Sequence, residues 1–263
     1  MNDNVPSIGA YRRTVPIKIG AARWTHGFWG RRFQRNAEVT LPSMRATMDD
    51  PENGAVFSNF YVAAGLADGE HRGTNWSDGD CYKWMEAMAT VYVVTGDKEL
   101  DERLDRWISV VAKAQCDDGY ISSNIGCDTG ERFPHPRQHE LYNMGHLLTA
   151  ACVHHRATGK DNFLRIARKL GDYLSDTFVP TPSRLMHFPR NPSVYMGLVE
   201  LYRLTGQRRY LETAKVMIGN RGKAPGGTDL SQDHVPLREE SEAVGHAVFA
   251  TYLYSGAADV YAE

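Results

Sequence analysis

Tyr92-Val-Val-Thr95-Gly96-Asp97, His155-Arg-Ala-Thr158-Gly159-Lys160 and Tyr202-Arg-Leu-Thr205-Gly206-Gln207 repeat one pattern, each centred on Thr-Gly. Each lies between two stretches of helical periodicity. Before Gly96, Trp84, Met88, Val91 and Tyr92 recur at intervals suited to one helix face; after it, Leu100, Leu104, Trp107, Ile108 and Val111 do the same. The second copy joins Leu141, Met144, Leu148 and Cys152 to Phe163, Ile166, Ala167, Leu170 and Leu174. The third joins Val194, Leu198, Leu201 and Tyr202 to Leu211, Ala214, Met217 and Ile218. Glycine suits these junctions because helices commonly end on a left-handed residue, which glycine adopts without a Cβ clash. An apolar residue follows each glycine at the same distance: Leu100, Phe163, Tyr210. The chain therefore reads as successive αα-hairpins and the fold class as all-α.

Gly96 and Gly159 are 63 residues apart, Gly159 and Gly206 only 47. These steps are too long and uneven for tetratricopeptide or ankyrin arrays. They leave room for functional loops between hairpins. The best strand signal is Val15-Pro-Ile-Lys-Ile19, which suggests an N-terminal segment with a short strand over residues 1–28 and the helical domain over 29–263. Near the end, Ala258-Asp-Val-Tyr261 matches Ala89-Thr-Val-Tyr92 by residue type, and Val244, Ala247, Val248, Thr251, Tyr254 and Ala258 form an apolar stripe. The expectation is the first helix of a fourth hairpin in an incomplete domain, with exposed apolar surface open to homo-oligomer formation.

The 263 residues carry 30 Lys+Arg against 32 Asp+Glu, a net charge of −2, with 42% apolar and 24% charged side chains. That balance argues against disorder and against nucleic acid as a partner. No run of about 18 apolar residues suggests a membrane span, and Met1-Asn2-Asp3-Asn4 lacks the basic start of an export signal. Cys81, Cys116, Cys127 and Cys152 are far apart and form no zinc-finger spacing. Isolated reduced thiols, and hence a cytoplasmic location, are expected.

Three polar clusters interrupt the helical pattern. Ser77-Asp78-Gly79-Asp80 opens the first hairpin; its carboxylates suit an N-cap, or with Trp76 or Trp84 could face a sugar ring. His139 and His146, two helical turns apart with Asn143 between them, would share a face beside Glu140. The spacing is not that of a zinc His-Glu-x-x-His motif. Arg132, His135 and Arg137 crowd the preceding loop. In Glu239-Glu240-Ser241-Glu242-Ala-Val-Gly245-His246, Glu242 could orient the His246 ring at i,i+4, while the run of acids also fits a helix N-terminus. Asp117-Asp118-Gly119-Tyr120 reads as a turn, with Tyr120 as a rim aromatic.

Asp80-Cys-Tyr-Lys83-Trp84-Met-Glu86-Ala87, Asp118-Gly119-Tyr120, His139-Glu140-Leu141-Tyr142-Asn-Met-Gly145-His146-Leu147 and Glu242-Ala-Val-Gly245-His246-Ala247 occur in an order that resembles the β-L-arabinofuranosidase glycoside hydrolases of families 127 and 146. Gly27-Phe28-Trp29-Gly30 and Thr40-Leu41-Pro42 extend the resemblance over roughly residues 17–263. It implies part of an (α/α)6 toroid and a retaining hydrolase whose cysteine nucleophile is held by zinc, with a glutamate as acid/base. Zinc would keep such a thiolate deprotonated. The family's acid/base glutamate and zinc ligands fall beyond Glu263, and none of the four cysteines matches them. The resemblance thus implies no catalytic residue, metal or cofactor in this chain, zinc only in the intact family, and a fragment inactive by itself. It leaves a sugar-binding set, His139, His146, His246, Asp80, Trp84, Tyr120 and Glu242, of which His139 and His246 most resemble the family's substrate histidines. A further family histidine is replaced near Asn191-Pro192. The alternatives are another toroidal sugar enzyme, such as an epimerase or unsaturated uronyl hydrolase, and a non-catalytic scaffold binding sugar or protein.

Overall fold

The structure, a computed structural model, describes residues 11, 12, 14–50, 52, 54–127 and 130–263. Residues 1–4, read above for a leader, lie outside them. The helices in chain order are α1 (Gly27–Arg35), α2 (Leu41–Asp49), α3 (Val56–Ala63), α4 (Ser77–Thr95), α5 (Lys98–Ala114), α6 (Glu140–Thr158), α7 (Asn162–Phe178), α8 (Ser193–Thr205), α9 (Arg208–Asn220) and α10 (Ala247–Ala262). A π-helical turn, Asn36–Thr40, links α1 to α2. Among the described residues no helix is long and apolar enough to cross a membrane.

The Thr-Gly pairs close the hairpins by one repeated set of bonds. Gly96, Gly159 and Gly206 sit at φ of 72, 74 and 70°, and each N–H reaches the carbonyl four residues back, at Tyr92, His155 and Tyr202. The threonine hydroxyl donates to its own i−4 carbonyl at 2.9, 2.8 and 2.6 Å. It then accepts the N–H two residues on, from Asp97, Lys160 and Gln207. Orphaned groups at the helix end are thereby satisfied within the repeat itself.

The hairpins stack into two layers. α4, α6, α8 and α10 pack side by side in that order as an inner row, with α5, α7 and α9 packed along their outer side. This is the arrangement of αα-hairpins in an (α/α)6 toroid. The difference between layers is written in the side chains. α6, enclosed by α4, α7 and α8, is buried from Glu140 through Leu148 without a break, whereas α5 buries a stripe of Leu104, Trp107, Ile108 and Val111. The inner helices approach closely where glycines face one another. A Cβ on Gly145 of α6 would lie 2.4 Å from the Val194 nitrogen of α8, and one on Gly197 would lie 2.7 Å from the Gly145 carbonyl.

Two expectations need correction. The stretch 15–19 forms no strand: Val15 and Ile17 are exposed, and no neighbouring strand takes up its backbone hydrogen bonds among the described residues. Cys116 and Cys127 are not free thiols but form a disulfide, their Cα atoms 5.4 Å apart. The turn at 117–119, closed by Cys116 N–H to the Tyr120 carbonyl at 2.9 Å, reverses the chain between them. Cys81 and Cys152 are free and buried, so the inference from isolated thiols to a cytoplasmic location loses its premise. The apolar stripe along α10 behaves as expected in one respect: Val248, Thr251, Tyr254 and Ala258 are exposed, while Phe249, Ala250, Leu253 and Gly256 make the buried face.

Candidate functional site

Because every inner helix starts at the same end of the row, the loops preceding α4, α6, α8 and α10 meet there, together with unpaired N–H groups of the helix starts. Trp76, His139 and His246 occupy one equivalent place, the residue immediately before α4, α6 and α10. His139 is left-handed at φ 58°. Its ring meets Trp76 edge-on at 5.4 Å and Tyr142 at 5.8 Å. His246 stacks on Phe249 at 4.2 Å, and the Arg190 guanidinium lies 5.9 Å from the same Phe249 ring. Burial, then the charges of Arg190 and His246, hold the His139 imidazole below its usual pKa. It is a neutral donor and acceptor at neutral pH.

Buried polar atoms are normally paired. At this rim, Asn75 Oδ1, His139 Nδ1, Arg190 Nε and Asn191 Oδ1 are buried without a partner. Trp76 is 44% exposed. The arrangement offers an aromatic face, a neutral imidazole and unfilled hydrogen-bonding capacity, which suits an oxygen-rich ring such as a sugar.

Neighbouring side chains fix the rim. Asn143 of α6 accepts from the Gly79 N–H at 2.9 Å and donates to the Asn75 carbonyl at 2.9 Å, pinning α4 to α6. Asn75 in turn donates to the Arg137 carbonyl at 2.9 Å. Buried Asp78 accepts both the N–H and the hydroxyl of Ser123, and burial pushes its pKa up. Glu140 accepts from the Tyr120 hydroxyl at 2.6 Å and the Phe133 N–H at 3.0 Å. The loop carrying His246 is held by buried Arg221, which donates to the carbonyls of Gln232, Pro189 and Ser231. Gln232 adds a bond to the Val244 carbonyl at 3.0 Å.

The structure brings only part of the expected set together. His139 and His246 reach the rim. His146 is buried, meets the Tyr142 ring edge-on at 4.6 Å and shares a hydrogen bond with the Tyr252 hydroxyl at 3.1 Å. Asp80 pairs with Lys83 at 2.8 Å, and Lys83 donates to Tyr142 Oη at 2.8 Å. Trp84 is not a sugar platform: it is 1% exposed, donates to the Leu41 carbonyl at 3.1 Å and packs on Phe57. Tyr120 is no rim aromatic, being wholly buried among Phe133 and Tyr173. Glu242 does not orient His246 at i,i+4, because the helix begins only at Ala247 and Glu242 is an exposed loop residue. Arg132, from the crowded loop, pairs with Asp118 and covers Tyr120. Arg190 and the Tyr142–Tyr252 pair were missed by sequence reasoning. Asking what precedes each inner helix would have favoured Trp76 over Trp84 and pointed to the Arg190 segment.

A cysteine-held zinc does not fit the residues present. Two thiols are consumed in the disulfide and the other two are buried. Among the described residues, the group with ligand atoms within 4.8 Å of one another is Asp101, Asp105 and His154. It contains no cysteine, and the Lys160 ammonium already holds both carboxylates, at 2.6 and 2.7 Å.

Comparison with known proteins bears on the family and the fold. The family described as "Beta-L-arabinofuranosidase, GH127 catalytic domain" matches residues 21–263. A non-reducing end β-L-arabinofuranosidase of Bifidobacterium longum subsp. longum is 31% identical over 279 aligned residues, covering 90% of this chain and 42% of that protein. A crystal structure of a GH127 β-L-arabinofuranosidase from Geobacillus stearothermophilus T6 superposes with a TM-score of 0.83 at 31% identity, covering 90% of this chain and 41% of the other. A second GH127 β-arabinofuranosidase structure gives 0.84 at 35% identity, with coverages of 94% and 40%. The chain thus spans about two fifths of the length of these relatives.

Proposed function

Since the chain belongs to the GH127 β-L-arabinofuranosidase catalytic-domain family of glycoside hydrolases, we propose that the rim at the start of its inner helices is the sugar-binding wall of an enzyme acting on β-L-arabinofuranosides. One observation carries the reading: Trp76, His139 and His246 stand at the same place before three inner helices, with the His139 Nδ1 buried and unpaired. A bound furanoside would stack on the exposed Trp76 face and exchange hydrogen bonds with His139 and His246. His139, kept neutral by burial, can both donate to and accept from hydroxyls without the desolvation cost of a charge. His146, Tyr142 and Lys83 would position this wall from behind rather than touch the sugar.

The residues of this chain bind and orient. Of the four cysteines present, two are joined in a disulfide and two are buried, which does not suit the zinc-held cysteines that the resemblance implies, so we propose binding without hydrolysis. Calorimetric titration with L-arabinose and methyl β-L-arabinofuranoside tests it. His139→Ala should weaken binding at least about tenfold, with little change in melting temperature. Unchanged affinity would remove His139 from the site. Release of p-nitrophenol from p-nitrophenyl β-L-arabinofuranoside by this chain alone would overturn the expectation of inactivity.

A further inference from the structure

Beside the rim, Arg190 also faces a second space. A cavity of about 380 Å³ lies between the loop before α6 and the loop before α10, lined by His135, Arg137, His187, Arg190, Thr228 and Asp233 among others. Its charges do not cancel. Among the described residues neither Arg137 nor Arg190 has a carboxylate partner, and the Arg190 Nε is buried with no acceptor. The one carboxylate in the lining is already engaged: Asp233 accepts the Thr228 N–H at 2.7 Å and lies 3.0 Å from His187 Nδ1. His187 is spent as well, its Nε2 lying 3.1 Å from the Pro225 carbonyl.

Resting on the sugar-binding reading of the neighbouring rim, we propose that this cavity receives the carboxylate of an acidic sugar residue, held by Arg190 and Arg137, so that the glycan recognised here carries a uronate next to the furanoside. A guanidinium presents parallel N–H donors matched to the two oxygens of a carboxylate, which makes it selective for that group in a way a point charge is not. Charge bookkeeping within the lining agrees. Burial and then Arg137 depress the Arg190 pKa, and Asp233 opposes them less strongly. An incoming anion relieves that repulsion and supplies the acceptor that Arg190 Nε lacks.

Calorimetry decides it, with D-galacturonate and D-glucuronate compared against D-galactose, D-glucose and sodium sulfate. The uronates are expected to bind at least about tenfold more tightly than their neutral parents, since a charge-assisted bidentate contact distinguishes them. The preference should shrink to threefold or less in Arg190→Gln and in Arg137→Gln, and should weaken as NaCl is raised from 20 to about 300 mM in the wild-type protein, a readout that needs no variant to fold. Equal binding of uronate and neutral parent overturns the proposal. So does a preference that survives both substitutions, and so does sulfate binding as tightly as the uronates, which would make this a general anion site. L-Arabinose titrated into the same wild-type sample keeps the two readings apart. Arabinose binding without uronate preference sinks only this inference, whereas loss of arabinose binding sinks the reading on which it rests.

Discussion

His146 Nε2 and the Tyr252 hydroxyl lie 3.1 Å apart, joining α6 to α10 past α8. The imidazole is buried, and burial with the nearby Lys83 charge holds its pKa down at about 3. An unfolded histidine titrates near 6.5, so between about 6.5 and 3 the unfolded chain takes up a proton that the folded one refuses. The stability His146 contributes is therefore complete above pH 6.5 and lost as pH falls below it. Buried Asp78 and Glu140, raised by burial, act in the opposite sense, so a variant is needed to isolate the effect. His146→Gln keeps a polar partner for Tyr252. The gap in unfolding free energy between wild type and variant should be smaller at pH 5 than at pH 7 by about 2 kcal/mol. Urea melts at both pH values measure it; equal gaps would mean that His146 titrates normally.

The two kinds of glycine in the inner row predict different penalties. A Cβ on Gly145 meets backbone of α8 at 2.4 Å, while one on Gly206 meets nothing within 4 Å and strains only its φ of 70°. Gly145→Ala should lose about 3 kcal/mol or fail to fold, because the neighbouring helix must move. Gly206→Ala should lose about 1 kcal/mol. Thermal unfolding of both variants gives the comparison, and similar losses would show that the helices are not in close contact.

Trp76 and Trp84 both lie near the start of α4 but should respond oppositely to truncation. Trp84→Ala empties a core position and should lose about 3–5 kcal/mol. Trp76→Ala should leave stability within about 1 kcal/mol while weakening L-arabinose binding several-fold. Binding that depended on Trp84 in a folded variant, and not on Trp76, would restore the platform role that its burial denies.

Cys116 and Cys127 enclose a short loop, with a sequence separation of 11. Closing a loop of this size restricts the unfolded chain by about 3 kcal/mol on the chain-entropy account. Reduction with dithiothreitol, or paired substitution by serine, should lower the melting temperature accordingly. In denaturant without reductant two thiols should react with Ellman's reagent, those of Cys81 and Cys152, and four after reduction. Four reactive thiols before reduction would show that the bond does not form.

The alternation of helices was legible because what ends each helix is local. A threonine hydroxyl returning to the carbonyl four residues back, and a glycine free to turn left-handed, need nothing from the rest of the chain. The candidate site was legible only in part. His139 and His246 stand out as polar residues just before apolar periodicity, yet the same reasoning chose Trp84 over Trp76 and made Tyr120 a rim aromatic.

The sequence by itself therefore determined the hairpins, their turns and the family to which they belong, because those signals are carried by bonds and periodicities spanning a few residues. Tertiary structure decided which helices are inner, and with them which loop residues converge. Trp84 is buried because Phe57 covers its ring and the Leu41 carbonyl accepts from its indole. Glu242 is off the helix because Gln232 holds the Val244 carbonyl in the preceding loop. Arg190 gains meaning only where four loops meet. Burial and charge at a point in space are sums over residues distant in the chain, and no local pattern contains them.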